Sequence, residues 1–219
     1  MLGKLFLQVV NLSYIGGIVI LFVLAARQFL KKAPKIFSYS LWAVALLRLL
    51  FPLSFESMLS LIPVSPEPIS NDILYTHAPR VNTGISGVDS FVNSSLPAGT
   101  VHGSVNPMQI WVNVGAILWV VGISILLIYS LVSLLRFKRK LKSAVYDSGK
   151  IYLLPGIDTP FVLGIIRPSI YLPMSLSQSE KDYILLHEQT HIRRFDHVFR
   201  IIGYLTLCIH WFNPLVWIA

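Results

Sequence analysis

Five consecutive residues carry the clearest chemistry in the chain: His187-Glu188-Gln189-Thr190-His191. On an α-helix, residues four apart are separated by about 40° around the axis and about 6 Å along it. Both imidazoles therefore leave the helix on one side, where they can grip a single ion. Glu188 follows His187 by about 100° and stands beside that ion rather than among its ligands. Two histidines and a glutamate so spaced form the H-E-x-x-H pattern, in which the histidines hold zinc and the glutamate is the general base of peptide hydrolysis. The expected cofactor is zinc, with His187 and His191 as ligands and Glu188 as the catalytic residue.

A catalytic zinc takes three protein ligands and leaves one position open. His197 and Asp196 are the nearest candidates downstream. The related pattern H-E-x-x-H-x-x-G-x-x-H has a glycine where the helix turns back, and Arg194 occupies that place here. On an unbroken helix His197 would stand about 15 Å from His187 along the axis, beyond reach of a shared ion. Asp196 would point the opposite way from His187, so its expected partner is Arg193, Arg200 or the helix end. Both residues are kept as candidate supports of the metal ligands.

The elements that must position these residues are marked in the sequence. Ser177-x-x-Glu180 is a capping box, and neither glycine nor proline follows before Gly203. A helix is expected from Gln178 to about Phe195. Upstream, Lys150–Leu154 reads as a strand ended by Pro155-Gly156. Thr159–Pro173 reads as two short strands around Gly164 and the Arg167-Pro168 bend. Prolines confine such strands to sheet edges or strand ends. Phe161, Val162, Leu163 and Gly164 then form an edge to which an extended peptide substrate can add by β-augmentation, or a small sheet that supports the helix.

Composition places this module beside a membrane. Of 219 residues, 54% are hydrophobic and only 13% charged, with mean hydropathy +0.67. A soluble domain carries about a quarter charged residues. Leu5–Ala26, Ile110–Leu135 and Ile201–Ala219 contain no charge, and Ile36–Phe55 contains only Arg48. A bilayer core needs about 20 apolar helical residues, so four spans are expected. The first run is too long for a signal peptide, and its positive cluster follows it rather than precedes it. Arg48 reads either as a functional charge within the membrane or as a side chain that snorkels to the interface. One cysteine, Cys208, excludes an intramolecular disulfide.

Residues Arg27–Lys35 sum to +4, Glu56–Met108 to −3 and Arg136–Arg200 to +5. The positive-inside bias puts the two basic segments in the cytoplasm and the N-terminus outside. The basic run Arg136–Lys142 reads as a lipid-facing helix end, and no nucleic-acid partner is expected. The expected organisation is a transmembrane hairpin (1–56), an outer loop (57–108), a third span (109–142), a cytoplasmic α+β module (143–200) and a fourth span (201–219). The outer loop, rich in Ser, Pro, Asn and Gly, reads as a flexible excursion. Asn93-Ser94-Ser95 within it has the spelling of a glycosylation acceptor.

Five stretches together resemble one family: Leu41-Trp42 with Leu47–Pro52, Thr159–Gly164, Arg167–Pro173, His187–His197 and His210–Pro214. The chain resembles the membrane-bound gluzincin peptidases of the beta-lactam sensor-transducer, or antirepressor, type. The resemblance implies a polytopic α-helical membrane protein with a zincin-like module between spans three and four. It also implies a zinc site on the cytoplasmic side and regulated proteolysis of a repressor or of the chain itself. In that family the third ligand is a glutamate just beyond the Trp-Phe-Asn-Pro span, so this sequence is expected to be the N-terminal portion of a longer protein. No S-x-x-K triplet for beta-lactam acylation occurs in the chain. The rival expectation is a non-catalytic signalling or partner-binding membrane protein with an incomplete zinc site. Self-association is left open.

Overall fold

The structure, a computed structural model, describes residues 1–30, 34–52, 68–76, 79–97 and 106–219. They fall into two compact units, Met1–Ile125 with Thr206–Ala219, and Leu126–Leu205. The elements in chain order are α1 (Leu2–Phe29), α2 (Lys35–Leu50), α3 (Ser86–Ser95), α4 (Pro107–Lys140), β1 (Val145–Ser148), β2 (Ile151–Leu154), β3 (Phe161–Leu163), β4 (Ser169–Pro173), α5 (Gln178–Arg193), α6 (Asp196–Ile209) and α7 (Pro214–Ile218). The chain is mostly helical, with one small sheet.

Among the described residues, α1 and α4 are long and apolar enough to cross a membrane. The apolar run at 36–55 is helical only to Leu50, and residues 53–55 lie outside the described residues. The last run is not one helix. It divides at His210–Asn213, because Pro214 has no N–H for an interior helical position. The Asn213 side chain accepts from the Leu215 N–H at 2.9 Å and starts α7 with Pro214 in its first turn.

In the first unit α1 packs closely on α2. A Cβ on Gly16 would overlap the Leu49 side chain, so glycine sets this approach. Ile20, Val23, Ala45, Leu49 and Val216 form the core there. The Asn213 amide donates to the Ser13 carbonyl at 2.9 Å, and the Trp119 indole donates to the Ile209 carbonyl at 2.8 Å.

The segment read as an outer loop differs from the flexible excursion expected. Its described parts, 68–76 and 79–97, hold a 3-10 turn (Asn71–Leu74) and α3, and Ile73, Leu74 and Val81 share a core with Leu7 and Val112. Asparagines replace the missing ladder bonds. Asn11 accepts from the Ile69 N–H at 3.0 Å and donates to its carbonyl at 2.8 Å. Asn93 does the same for Val81, at 2.8 and 3.0 Å. The apparent glycan acceptor thus spends its amide on the backbone. Hydrogen bonds from Thr83 hold the half-buried Asp89 carboxyl below its ordinary range.

In the second unit the sheet order is β1-β2-β4-β3. β1 and β2 are antiparallel, β2 and β4 parallel, and β3 and β4 antiparallel. This register aligns Tyr146, Tyr152, Tyr171 and Phe161 across all four strands. Tyr152 stacks on Tyr171 at 5.3 Å, and Tyr171 on Phe161 at 5.1 Å between ring centroids. Phe137 of α4 meets Phe161 at 5.2 Å and extends the row. Burial beside Tyr152 raises the Tyr171 phenol above its ordinary pKa. Buried Leu154, Ile170 and Leu172 make the sheet core, and α5 packs against β3 and β4.

Candidate metal centre

α5 begins as the sequence predicts. The Ser177 hydroxyl accepts from the Glu180 N–H at 3.5 Å, and Glu180 accepts from the Ser177 N–H at 2.9 Å. The Ser177 hydroxyl also donates to the Glu180 carboxylate at 2.5 Å, and with the Ser177 N–H it holds the Glu180 carboxyl below its ordinary pKa. Lys181, on the next turn, pairs with Asp147 of β1 at 2.6 Å. The start of α5 is thus fixed to the sheet.

Two turns on, His187 and His191 come together. Their Nε2 atoms are 3.2 Å apart, with ring planes 78° to one another. Two nitrogens bound to one tetrahedral zinc at their usual bond lengths lie about 3.3 Å apart. The pair is therefore spaced to share an ion without rearranging the helix. Glu188 is half-buried on the adjacent face of α5.

Asp196 lies elsewhere than a continuous helix would put it. α5 stops at Arg193, and Phe195 takes the left-handed conformation with φ 58°. The chain turns there, and α6 starts with Asp196 facing back toward α5. The Asp196 Oδ2 is 2.6 Å from His191 Nδ1, and Arg194 Nε is 3.9 Å from its other oxygen. The partner expected at Arg193 or Arg200 is thus His191. A carboxylate accepting from Nδ1–H leaves the Nε2 lone pair turned toward a metal.

His197 does not join them. Its Nε2 meets the Ile165 carbonyl at 3.3 Å, and its Nδ1 is buried without a protein partner. Phe161, Val162 and Leu163 form β3 at the edge of the sheet beside α5, and Gly164 ends the strand at φ 116°. Among the described residues, no group of three His, Cys, Asp or Glu side chains converges to hold a metal. The two histidines and the aspartate behind one of them fit two of the three ligand positions of a zinc site.

A family model described as BlaR1 peptidase M56 matches residues 7–219. The chain belongs to this family. The methicillin resistance mecR1 proteins of Staphylococcus aureus and Staphylococcus epidermidis are each 23% identical over 238 residues, covering 98% of this chain and 40% of theirs. The regulatory protein BlaR1 of Bacillus licheniformis is 30% identical over 122 residues, covering 45% of this chain and 20% of its own. The chain thus spans about two fifths of the mecR1 relatives it matches. The family read from the motifs, BlaR1-type sensor-transducer metallopeptidases, is the one found by comparison.

Two features of this BlaR1 peptidase M56 member escape a reading of the sequence. The turn at Phe195 has no glycine or proline to announce it. The ring row across the sheet does have a signal, an aromatic residue in each strand, but only the register shows that they align.

Proposed function

We propose that this chain is the membrane-embedded zinc peptidase portion of a signal-transducing protein, hydrolysing peptide bonds on the cytoplasmic side. The observation that carries the reading is the 3.2 Å approach of the His187 and His191 Nε2 atoms, with Asp196 behind His191. His187 and His191 would hold the ion, and Asp196 would fix the tautomer of His191. A bound zinc supplies Lewis acidity and an acidified water. Glu188 takes the proton from the attacking water and returns it to the leaving amine. β3 offers its edge to the substrate backbone, with Phe161–Leu163 as the pairing strand and Gly164 closing it.

The four apolar runs support four membrane crossings, and the charge bias of the segments between them supports an N-terminus outside. Membership in the family and a relative named as a regulatory protein support regulated proteolysis. A repressor or the chain itself is the substrate class.

The test is the zinc content of the purified chain in nanodiscs, beside His191→Ala and Glu188→Gln. Stoichiometric zinc that is lost in His191→Ala but kept in Glu188→Gln, with peptide hydrolysis lost in both variants, supports the reading. Zinc absent from all three overturns it for this chain and leaves a signalling or partner-binding role.

A further inference from the structure

We propose that Ile165 and Ile166, on the turn between β3 and β4, act with Phe195 and Phe199 as a bilayer-contacting patch that fixes the height of the His187–His191 pair above the membrane. The inference rests on the reading of α4 as a membrane span. All four side chains are exposed, Ile166 to 91%. The turn drives the two isoleucines outward. Gly164 has φ 116°, and a Cβ there would meet the Arg167 carbonyl oxygen at 2.7 Å, so the loop closes tightly behind them. The His197 imidazole holds the Ile165 carbonyl at 3.3 Å, and its ring centroid lies 6.4 Å from that of Phe195. The loop is thereby pinned to the first turn of α6.

Helix lengths give the depth of this turn. The Tyr204 hydroxyl donates to the Leu126 carbonyl at 3.0 Å, which sets α6 beside α4 at that level. Both helices carry their charges at one end. In α4 the uncharged run stops at Leu135, and Arg136, Lys138, Arg139 and Lys140 follow; in α6 Asp196, His197 and Arg200 precede an uncharged stretch. With these ends together, Arg136 is about 15 Å along α4 from Leu126, and Phe195 is about 13 Å back from Tyr204. The two residues lie at nearly one level, where α4 leaves the hydrocarbon for the headgroups. Apolar side chains exposed at that depth and flanked by cations are the composition of an interfacial anchor. Arg167, Arg193 and Arg200 are exposed around the patch, matching anionic headgroups. The occupant is therefore the lipid surface.

The experiment uses the full chain in nanodiscs containing anionic lipid. Ile166→Cys, Tyr183→Cys and Leu131→Cys are each labelled with an environment-sensitive fluorophore. Cys208 is buried at 1% exposure and does not compete for label. Iodide quenches from water, and nitroxide-bearing lipids quench from the bilayer. Quenching of the Ile166→Cys label by shallow nitroxides, with iodide access several-fold below that of the exposed α5 site Tyr183→Cys, supports the proposal. Iodide access equal to that of Tyr183→Cys overturns it. So does protection from both quenchers, which would place a second protein surface on the patch. The Leu131→Cys label on α4 separates the two readings. If deep nitroxides fail to quench it, the membrane span itself fails; if they quench it and shallow ones leave Ile166→Cys untouched, only the patch fails.

Discussion

Replacing Asp196 tests whether the His191–Asp196 bond prepares the metal centre. The bond is 2.6 Å long and its carboxylate is mostly shielded, with 14% of the side chain exposed. A charge-assisted bond of this length is at the strong end for proteins. Removing the group that orients a metal-bound histidine weakens zinc binding by roughly 10–100-fold, or about 1.4–2.8 kcal/mol. Asp196→Ala should sit at the upper end of that range. Asp196→Asn keeps an acceptor and the start of α6 but loses the charge, so it should lose about tenfold. His197→Ala is the neighbouring control, since His197 bonds the Ile165 carbonyl instead. The assay is competition for zinc with a fluorescent chelator, on the full chain in nanodiscs, with circular dichroism to show that α5 and α6 persist. An affinity for Asp196→Ala within about twofold of the unsubstituted chain refutes the reasoning, and so does an equal loss in His197→Ala.

The other predictions concern local supports of the fold in each unit. Gly164→Ala places a Cβ 2.7 Å from the Arg167 carbonyl oxygen at φ 116°; the strain should lower stability by about 2–3 kcal/mol, read as a fall in the thermal unfolding midpoint. Asn93→Ala removes both bonds to the Val81 backbone, and a loss of about 1–3 kcal/mol should appear as faster amide exchange at Val81. Glu180 has a folded pKa below its ordinary 4.5, so its contribution is present above that value and is lost as pH falls through the folded one. Acidification should lower the melting temperature less in Glu180→Gln than in the unsubstituted chain. Phe195→Gly relieves a left-handed conformation that costs a side-chain residue about 1–2 kcal/mol. Stability in detergent should therefore hold or rise, and a clear fall would show that the ring is packed.

The parts legible in the sequence are those set by local rules. The capping box placed the start of α5, and helical spacing brought His187 and His191 together, because each depends on residues within one or two turns. Strand ends at Pro155-Gly156, Gly164 and Pro173 were legible for the same reason. β1 was not, since Val145–Ser148 is exposed along its whole length and shows no alternation of apolar and polar residues. The pieces at 68–76 and 79–97 were not legible for a different reason. Such short pieces cannot show a periodic apolar face, and their backbone bonding is completed from beyond each local turn, by Asn11 for Ile69 and by Asn93 for Val81.

The break after Arg193 shows how a site can hide behind an unremarkable run of residues. Helix propensity alone carries the chain through Phe195, and among the described residues Phe195 is the only non-glycine with positive φ. The conformation persists because of what the turn makes possible. The Phe195 carbonyl accepts from the Val198 and Phe199 N–H groups at 2.9 and 3.2 Å and begins α6. Asp196 then has its charge at a helix N-terminus, where it is stabilised by the dipole, and reaches His191. The strain at one residue is thus offset by bonds that exist only after the chain has turned. Tertiary contact decides the conformation there, and it decides it in favour of the geometry a metal-binding histidine needs.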